Sequence, residues 1–228
     1  MTQSSQPAGP GTRRGPEPAS AVSVMTFGGL RIAYDHRVLT PRPWTAQQSR
    51  WAAQLMAGAP PGGVLELCCG AGHIGLLATA LTPEPARRHL VAVDINPAAM
   101  AFTVSNAQNA GLSPWVEVRH GDLTAVLGTE ESFALIIADP PWVPEAETTR
   151  FPQDPLQAID GGVDGLEVAR RCLEVAQRHL APDGALLLQL GTREQVAQLD
   201  PASYGLTPLE VRTGERGVLV DLRQARPA

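Results

Sequence analysis

Residues 62–75 read Gly-Gly-Val-Leu-Glu-Leu-Cys-Cys-Gly-Ala-Gly-His-Ile-Gly, a short apolar run that meets glycines at Gly70, Gly72 and Gly75. Val64, Leu65 and Leu67, with Cys68 and Cys69, have the composition of a buried central strand. The glycines then let the backbone turn sharply and lie close against a ligand. A strand that opens into a helix through G-x-G-x-x-G is a nucleotide cradle, and the spacing alone fits NAD, FAD and S-adenosylmethionine equally well.

The charges around the cradle separate these ligands. A dinucleotide puts a pyrophosphate at the helix N-terminus. Here Glu66 stands just before Gly70, and no Lys or Arg follows until Arg87. A carboxylate in that place repels a pyrophosphate and favours the ammonium and sulfonium groups of S-adenosylmethionine, which carries no phosphate. The expected cofactor is therefore S-adenosylmethionine, held by Glu66, Gly70, Ala71 and Gly72. A nicotinamide oxidoreductase shares the glycine loop but conflicts with this charge.

Working outward, Ile74, Leu77, Ala78 and Leu81 keep helical spacing up to Thr82-Pro83. Leu90-Val91-Ala92-Val93 is a second apolar strand that delivers Asp94, where a bidentate carboxylate can grip the two ribose hydroxyls of a nucleotide. Asn96 and Pro97 start the next helix and Gly111 closes it. A third strand, Trp115 to Arg119, leads to Asp122, a candidate acceptor for an adenine amino group. Phe133 to Ala138 is a fourth strand that runs into Asp139-Pro140-Pro141-Trp142, and Ala185 to Leu190 is a fifth. Leu209, Val211, a Thr213-Gly214-Glu215 turn, Val218 and Val220 predict a closing antiparallel hairpin. Apolar strands alternating with helices predict an α/β, Rossmann-like fold: a mostly parallel seven-stranded sheet with a C-terminal antiparallel hairpin. Its ligand site belongs at the carboxyl ends of the strands, which puts Asp139 beside the glycine loop and against the cofactor.

Upstream, Leu30, Ile32 and Tyr34 alternate with polar or small residues, and Asp35-His36-Arg37 predicts the turn of a small hairpin into Val38-Leu39. Thr45 with Gln48 has the form of a capping box for a helix carrying Trp51, Ala52 and Leu55, which Gly58 ends. Val143 to Gly162 is proline-rich and poorly periodic, which predicts a functional loop or lid. Leu166, Ala169, Leu173, Ala176 and Leu180 mark an amphipathic helix.

A chain of 228 residues can bury one sizeable core. Residues 1–22, rich in Pro, Gly, Ser and Gln, are expected to be a disordered tail, with one folded domain over 23–228. The net charge of −5 argues against a broad basic surface and makes nucleic acid a weaker candidate partner. The 3 cysteines fit neither a disulfide framework nor a common zinc pattern, so no metal is expected. The chain has no apolar run long enough for a membrane span and no signal peptide's apolar stretch, which predicts a soluble cytoplasmic protein.

Asp139-Pro140-Pro141-Trp142 carries the chemistry. The amino group of an amide or a nucleobase is a poor nucleophile because its lone pair is delocalised. Two acceptors that take both of its hydrogens, the Asp139 carboxylate and the Pro140 carbonyl, hold the nitrogen and favour the form that attacks. Proline has no N–H, so this corner presents acceptors only, and the two prolines stiffen it. Trp142 offers a flat face for a planar group. The reaction read from these residues is methylation of a planar amide or amino nitrogen.

With these motifs in place, the chain from about Leu30 to Leu222 resembles the class I methyltransferases that modify the glutamine side-chain amide of translation release factors. The resemblance rests on Pro41-Arg42-Pro43 with Thr45, on Glu66-Leu67-Cys68-Cys69-Gly70-Ala71-Gly72, on Asp94 and on the Pro-Pro pair with its aromatic. It extends to Asp154-Pro155, Ala158-Ile159, Gly161-Gly162 and Asp164-Gly165-Leu166. It implies that the corner from Asp139 to Trp142, with Pro140 and Pro141, binds the glutamine, and that the partner is a release-factor-like protein. The family's corner reads Asn-Pro-Pro-Tyr, against Asp-Pro-Pro-Trp here, and Trp44 stands where the family has Glu. Bacterial members carry a helical domain in front, which residues 1–22 cannot supply. Methylation of adenine N6 in RNA or DNA, or of a small-molecule amine, are the alternative acceptors.

Overall fold

The structure, a computed structural model, describes residues 21–225. The predicted tail, but for its last two positions, lies outside the described residues. Strands β1 (Ser23–Phe27) and β2 (Leu30–Tyr34) form an antiparallel hairpin. Its turn is Gly28-Gly29, both at positive φ, rather than the expected Asp35-His36-Arg37. Two adjacent glycines make the tighter reversal; Asp35 instead closes a small turn that brings the Val38 N–H to its carbonyl at 3.2 Å. Helix α1 (Ala46–Gly58) follows.

The main sheet holds β3 (Gly63–Leu67), β4 (Leu90–Asp94), β5 (Val116–His120), β6 (Phe133–Ala138), β7 (Leu180–Leu190), β8 (Leu206–Thr213) and β9 (Val218–Gln224). Their order is β5-β4-β3-β6-β7-β9-β8; the first five are parallel, and β9 pairs antiparallel with both β7 and β8. The expected seven-stranded sheet and its closing hairpin are therefore present. The connections are α2 (His73–Leu81), α3 (Pro97–Asn109), α4 (Leu156–Ile159), α5 (Glu167–His179) and α6 (Arg193–Gln198).

The central strands are apolar on both faces because helices cover both. Leu135 and Ile137 of β6 pack with Trp51 and Ala78 from α1 and α2, while Ile136 and Ala138 pack with Leu173 and Ala176 of α5. Each such buried aliphatic contributes about 1.5–3 kcal/mol. The third strand of the sequence, β5, departs from the pattern: it lies at the sheet edge and is half exposed, and no helix separates it from β6. Leu209 is exposed, at a shift of the β8–β9 register between Pro208 and Glu210. The Pro182-Asp183-Gly184 turn is a bulge inside β7, whose pairing with β6 jumps from Leu180 to Ala185.

Topology places the site. The order reverses between β3, whose next strand β4 lies on one side, and β6 on the other. Leu67 pairs with both Val93 and Ala138, so β3, β4 and β6 end level with one another. The residues that leave these ends, Gly70, Asp94 and Asp139, are brought to one edge, the switch point of an open α/β sheet.

Candidate active site

Two cavities meet at that edge. One, of about 520 Å³, is lined by Cys68, Gly70, Asp94, Asn96, Asp122 and Asp139 among others. Its neighbour, of about 480 Å³, is lined by Arg42, Trp44, Pro140, Trp142, Phe151 and Asp154 among others. Leu39, His73, Asp139, Pro141 and Ala158 belong to both. Asp139 thus stands on the wall where the two spaces join.

The floor of the larger cavity follows from the glycine loop. Gly70, at φ +53, has no atom within 4 Å of where a Cβ would stand, so the backbone faces open space. Its N–H donates to Asp94 Oδ2 at 2.8 Å, and the Asn96 N–H donates to Asp94 Oδ1 at 2.9 Å. These donors fix the Asp94 carboxylate at the rim of the cavity. Burial raises its pKa, and the backbone N–H groups of Asn96, Gly70 and Ile95 oppose the rise. Asp122, another lining residue, is ion-paired with Arg171, which also lines the cavity. The Thr124 hydroxyl and the Arg171 guanidinium hold Asp122 down to about 2.

Three residues expected to touch the cofactor do not line the cavity. Ala71 is buried, and its carbonyl accepts from Asn106 Nδ2 at 2.9 Å. Gly72 starts α2 at φ +76, and a Cβ there would stand 2.7 Å from Thr103 Cγ2, so this glycine serves close packing of the loop on α3. Glu66 shares the α2 face of β3 with Val64, lies 2% exposed, and its Oε1 accepts from the Gly75 N–H at 2.8 Å. A side chain on Gly75 would overlap its other oxygen. Burial pushes the Glu66 pKa up to about 8, so it is protonated at neutral pH and cannot supply the repulsion expected of it. The charge pattern survives on other residues: Asp94, Asp122, Asp139 and Asp160 line the cavity against Arg171 alone. An acidic wall of this kind suits a cationic ligand and opposes a pyrophosphate.

The corner after β6 is held from outside. The Trp142 carbonyl accepts from Gln195 Nε2 at 2.8 Å, and Gln195 completes the capping box of α6 with Thr192. The Trp142 ring lies over Gly191, where a Cβ would collide with it. Neither the Asp139 carboxylate nor the Pro140 carbonyl accepts a hydrogen bond from the described residues. Burial raises Asp139 to about 7.

The segment from Val143 to Gly162 is a fastened flap. The Val143 N–H donates to the Ile159 carbonyl at 3.0 Å, and the Gly161 N–H donates to the Val143 carbonyl at 2.9 Å, which closes the loop on itself. Asp154 receives Arg42 at 2.7 Å, tying the flap to the proline-rich stretch before α1. Arg42, Asp154 and Leu156 to Ala158 are site-lining residues that motif spacing did not identify. Gln48 was read as half of a capping box; Thr45 makes no cap, and Gln48 Nε2 donates to the carbonyls of Ala138 and Leu187 instead, at 3.0 and 3.2 Å. Its place on the apolar face with Trp51 and Ala52 was the available signal.

Among the described residues no group of three or more His, Cys, Asp or Glu is placed to hold a metal. Nor is any helix there long and apolar enough to cross a membrane.

A family model described as "Methyltransferase small domain" matches residues 49–199. The ribosomal protein uL3 glutamine methyltransferase of Bradyrhizobium diazoefficiens is 36% identical over 196 residues, covering 80% of this chain and 60% of the relative. The release factor glutamine methyltransferase of Deinococcus radiodurans is 35% identical over 171 residues, covering 73% of this chain and 59% of the relative. The chain thus spans about 60% of the length of these relatives. Among solved structures, the ribosomal protein L11 methylase of Lactobacillus delbrueckii subsp. bulgaricus superposes with a TM-score of 0.61 at 16% identity, covering 84% of each chain. Trm5 of Methanocaldococcus jannaschii, solved with adenosine, gives 0.63 at 13% identity, covering 92% of this chain and 58% of that one. These two likenesses show a shared Rossmann-like fold.

Proposed function

The chain belongs to the methyltransferase small-domain family, and on that premise we propose that it is an S-adenosylmethionine-dependent N-methyltransferase acting on a glutamine side-chain amide of a translation protein. A uL3-like or release-factor-like protein is the proposed substrate, with the cytoplasm as the place of action. The observation that carries the reading is the pair of cavities joined at Asp139: one is floored by the glycine loop, the other walled by aromatic and proline side chains.

Gly70 with the adjoining backbone, Asp94 for the ribose hydroxyls and Asp122 for the adenine amino group are the residues that would hold S-adenosylmethionine. The open space over Gly70, the fixed carboxylate of Asp94 and the acidic wall fit such a ligand. Bound there, the cofactor supplies an electrophilic methyl group on a sulfonium.

On the acceptor side, the Asp139 carboxylate and the Pro140 carbonyl take the two amide hydrogens, and Trp142 with Pro141 encloses the planar group. Neither acceptor is paired among the described residues, so both are open to the incoming N–H groups. Orientation of the amide nitrogen supplies most of the acceleration. Asp139, lifted to about 7 by burial, is suited to take the surplus proton.

Incubation with methyl-labelled cofactor and uL3 or release factor, followed by hydrolysis of the product, tests the reading. Label in methylglutamine is expected. Label in methyladenine from co-purified nucleic acid, with none in methylglutamine, would refute it.

A further inference from the structure

His73 opens α2 and lies 8% exposed on the wall shared by both cavities. Phe27 of β1 meets its ring edge to face, with 4.9 Å between centroids and 86° between planes. Neither Nδ1 nor Nε2 has a hydrogen-bond partner among the described residues. Buried polar atoms are nearly always satisfied, and a phenylalanine could make the same contact with Phe27 without two unpaired nitrogens. The ring therefore offers hydrogen-bonding atoms to something that enters the cavities.

Its chemistry limits what that is. Burial lowers the His73 pKa to about 3, so the imidazole stays neutral and presents one N–H and one lone pair. Of the other residues common to both cavities, Leu39, Pro141 and Ala158 have no polar side-chain atom, and ionised Asp139 only accepts. Among the described residues common to both cavities, His73 alone brings a side-chain N–H to the seam. A primary carboxamide carries two hydrogens on nitrogen and an acceptor oxygen beside them. Asp139 and Pro140 supply acceptors for the hydrogens and leave that oxygen without a donor.

Building on the glutamine reading, we infer that His73 donates its N–H to the carboxamide oxygen of the acceptor glutamine, making it a third substrate-binding group and a determinant of specificity. As the amide nitrogen gives up its proton to Asp139, negative charge moves onto the carboxamide oxygen, where a fixed N–H stabilises it. An alkylamine has no such oxygen and leaves His73 unpaired, so the site discriminates against lysine-like acceptors.

The test uses the full chain labelled with ¹⁵N-histidine, with the His73 resonance identified by its absence in the His73→Phe variant. In the complex with S-adenosylhomocysteine, a short glutamine peptide is expected to shift the His73 ring nitrogens, whereas the same peptide with glutamate in place of glutamine leaves them where they were. In steady-state assays His73→Phe should lower kcat/KM for the protein acceptor 10-fold or more, with cofactor affinity within threefold, and His73→Gln should recover part of the loss. A ring signal that ignores the glutamine peptide overturns the assignment, as does a loss in cofactor affinity equal to the loss in kcat/KM. Wild-type transfer to glutamine is measured in the same preparations. Normal transfer with a silent His73 sinks this inference alone, while absence of transfer to glutamine sinks the glutamine reading and this inference with it.

Discussion

Asp139 departs from the asparagine that the resembling family carries, and its environment gives the difference a measurable consequence. Both side chains accept a hydrogen bond, but only the carboxylate titrates, with burial holding it at about 7. If the ionised form receives the substrate hydrogens, kcat/KM rises with pH and levels off above about 7. Asp139→Asn keeps a hydrogen-bond acceptor but cannot take the proton, so it should lower kcat/KM while abolishing that acid limb. Asp139→Ala should cost ~10² or more in turnover with cofactor affinity within about an order of magnitude, the pattern of a group that acts mainly in the transition state. Unchanged turnover in the alanine variant would remove Asp139 from the reaction. Glu66 tests the structure rather than the chemistry. Its folded pKa of about 8 exceeds the ordinary 4.5, so the native protein keeps a proton that the unfolded chain releases between those values. Stability therefore falls as pH rises through that window, and the raised Asp139 and Asp94 act in the same direction. Glu66→Gln should flatten the decline of the urea midpoint between about pH 5 and 8; an unaltered slope would show that Glu66 is not buried as described.

At the level of elements, the flap and the corner after β6 depend on glycines that no periodicity could explain. Gly165 sits at φ +74, with the Trp142 carbonyl 2.5 Å from where its Cβ would stand. Gly165→Ala is expected to destabilise the fold by about 1–3 kcal/mol through backbone strain. It should also raise KM for the acceptor far more than for the cofactor, because the Trp142 corner moves while the Gly70 loop does not. Equal effects on both would place the damage elsewhere. The buried strands were legible because runs such as Phe133 to Ala138 are apolar on both faces, and α3 because Asn96, Pro97 and Gly111 mark its ends. The flap was legible only as an interruption. Its order comes from contacts distant in sequence, such as Arg42 with Asp154, and from backbone pairing between Val143 and Asp160, which local composition cannot encode. The first hairpin was misplaced because Asp35-His36-Arg37 has ordinary turn chemistry, yet the paired strands reverse one turn earlier, at Gly28-Gly29.

On the scale of the whole molecule, strand order does what no motif can: reversal between β3 and β6 brings Gly70 and Asp139, far apart in the chain, to one rim. The sequence located Asp94, Asp122 and Asp139 at that rim, because residues that end parallel strands share an edge whatever their neighbours. It could not show which side chains turn inward. Glu66 reads as a cofactor-facing carboxylate because its burial depends on Gly75 of the next helix leaving room for it, and the pairing of Asp122 with Arg171 joins a loop to α5. The most direct measurement of the central claim is the position of the sulfur in a crystal structure of the chain with S-adenosylhomocysteine. The ribose should lie against Asp94 over the Gly70 loop, with the sulfur facing the seam at Asp139 and Pro140. A ligand bound away from the Gly70 loop, or a sulfur turned from Asp139, would contradict it.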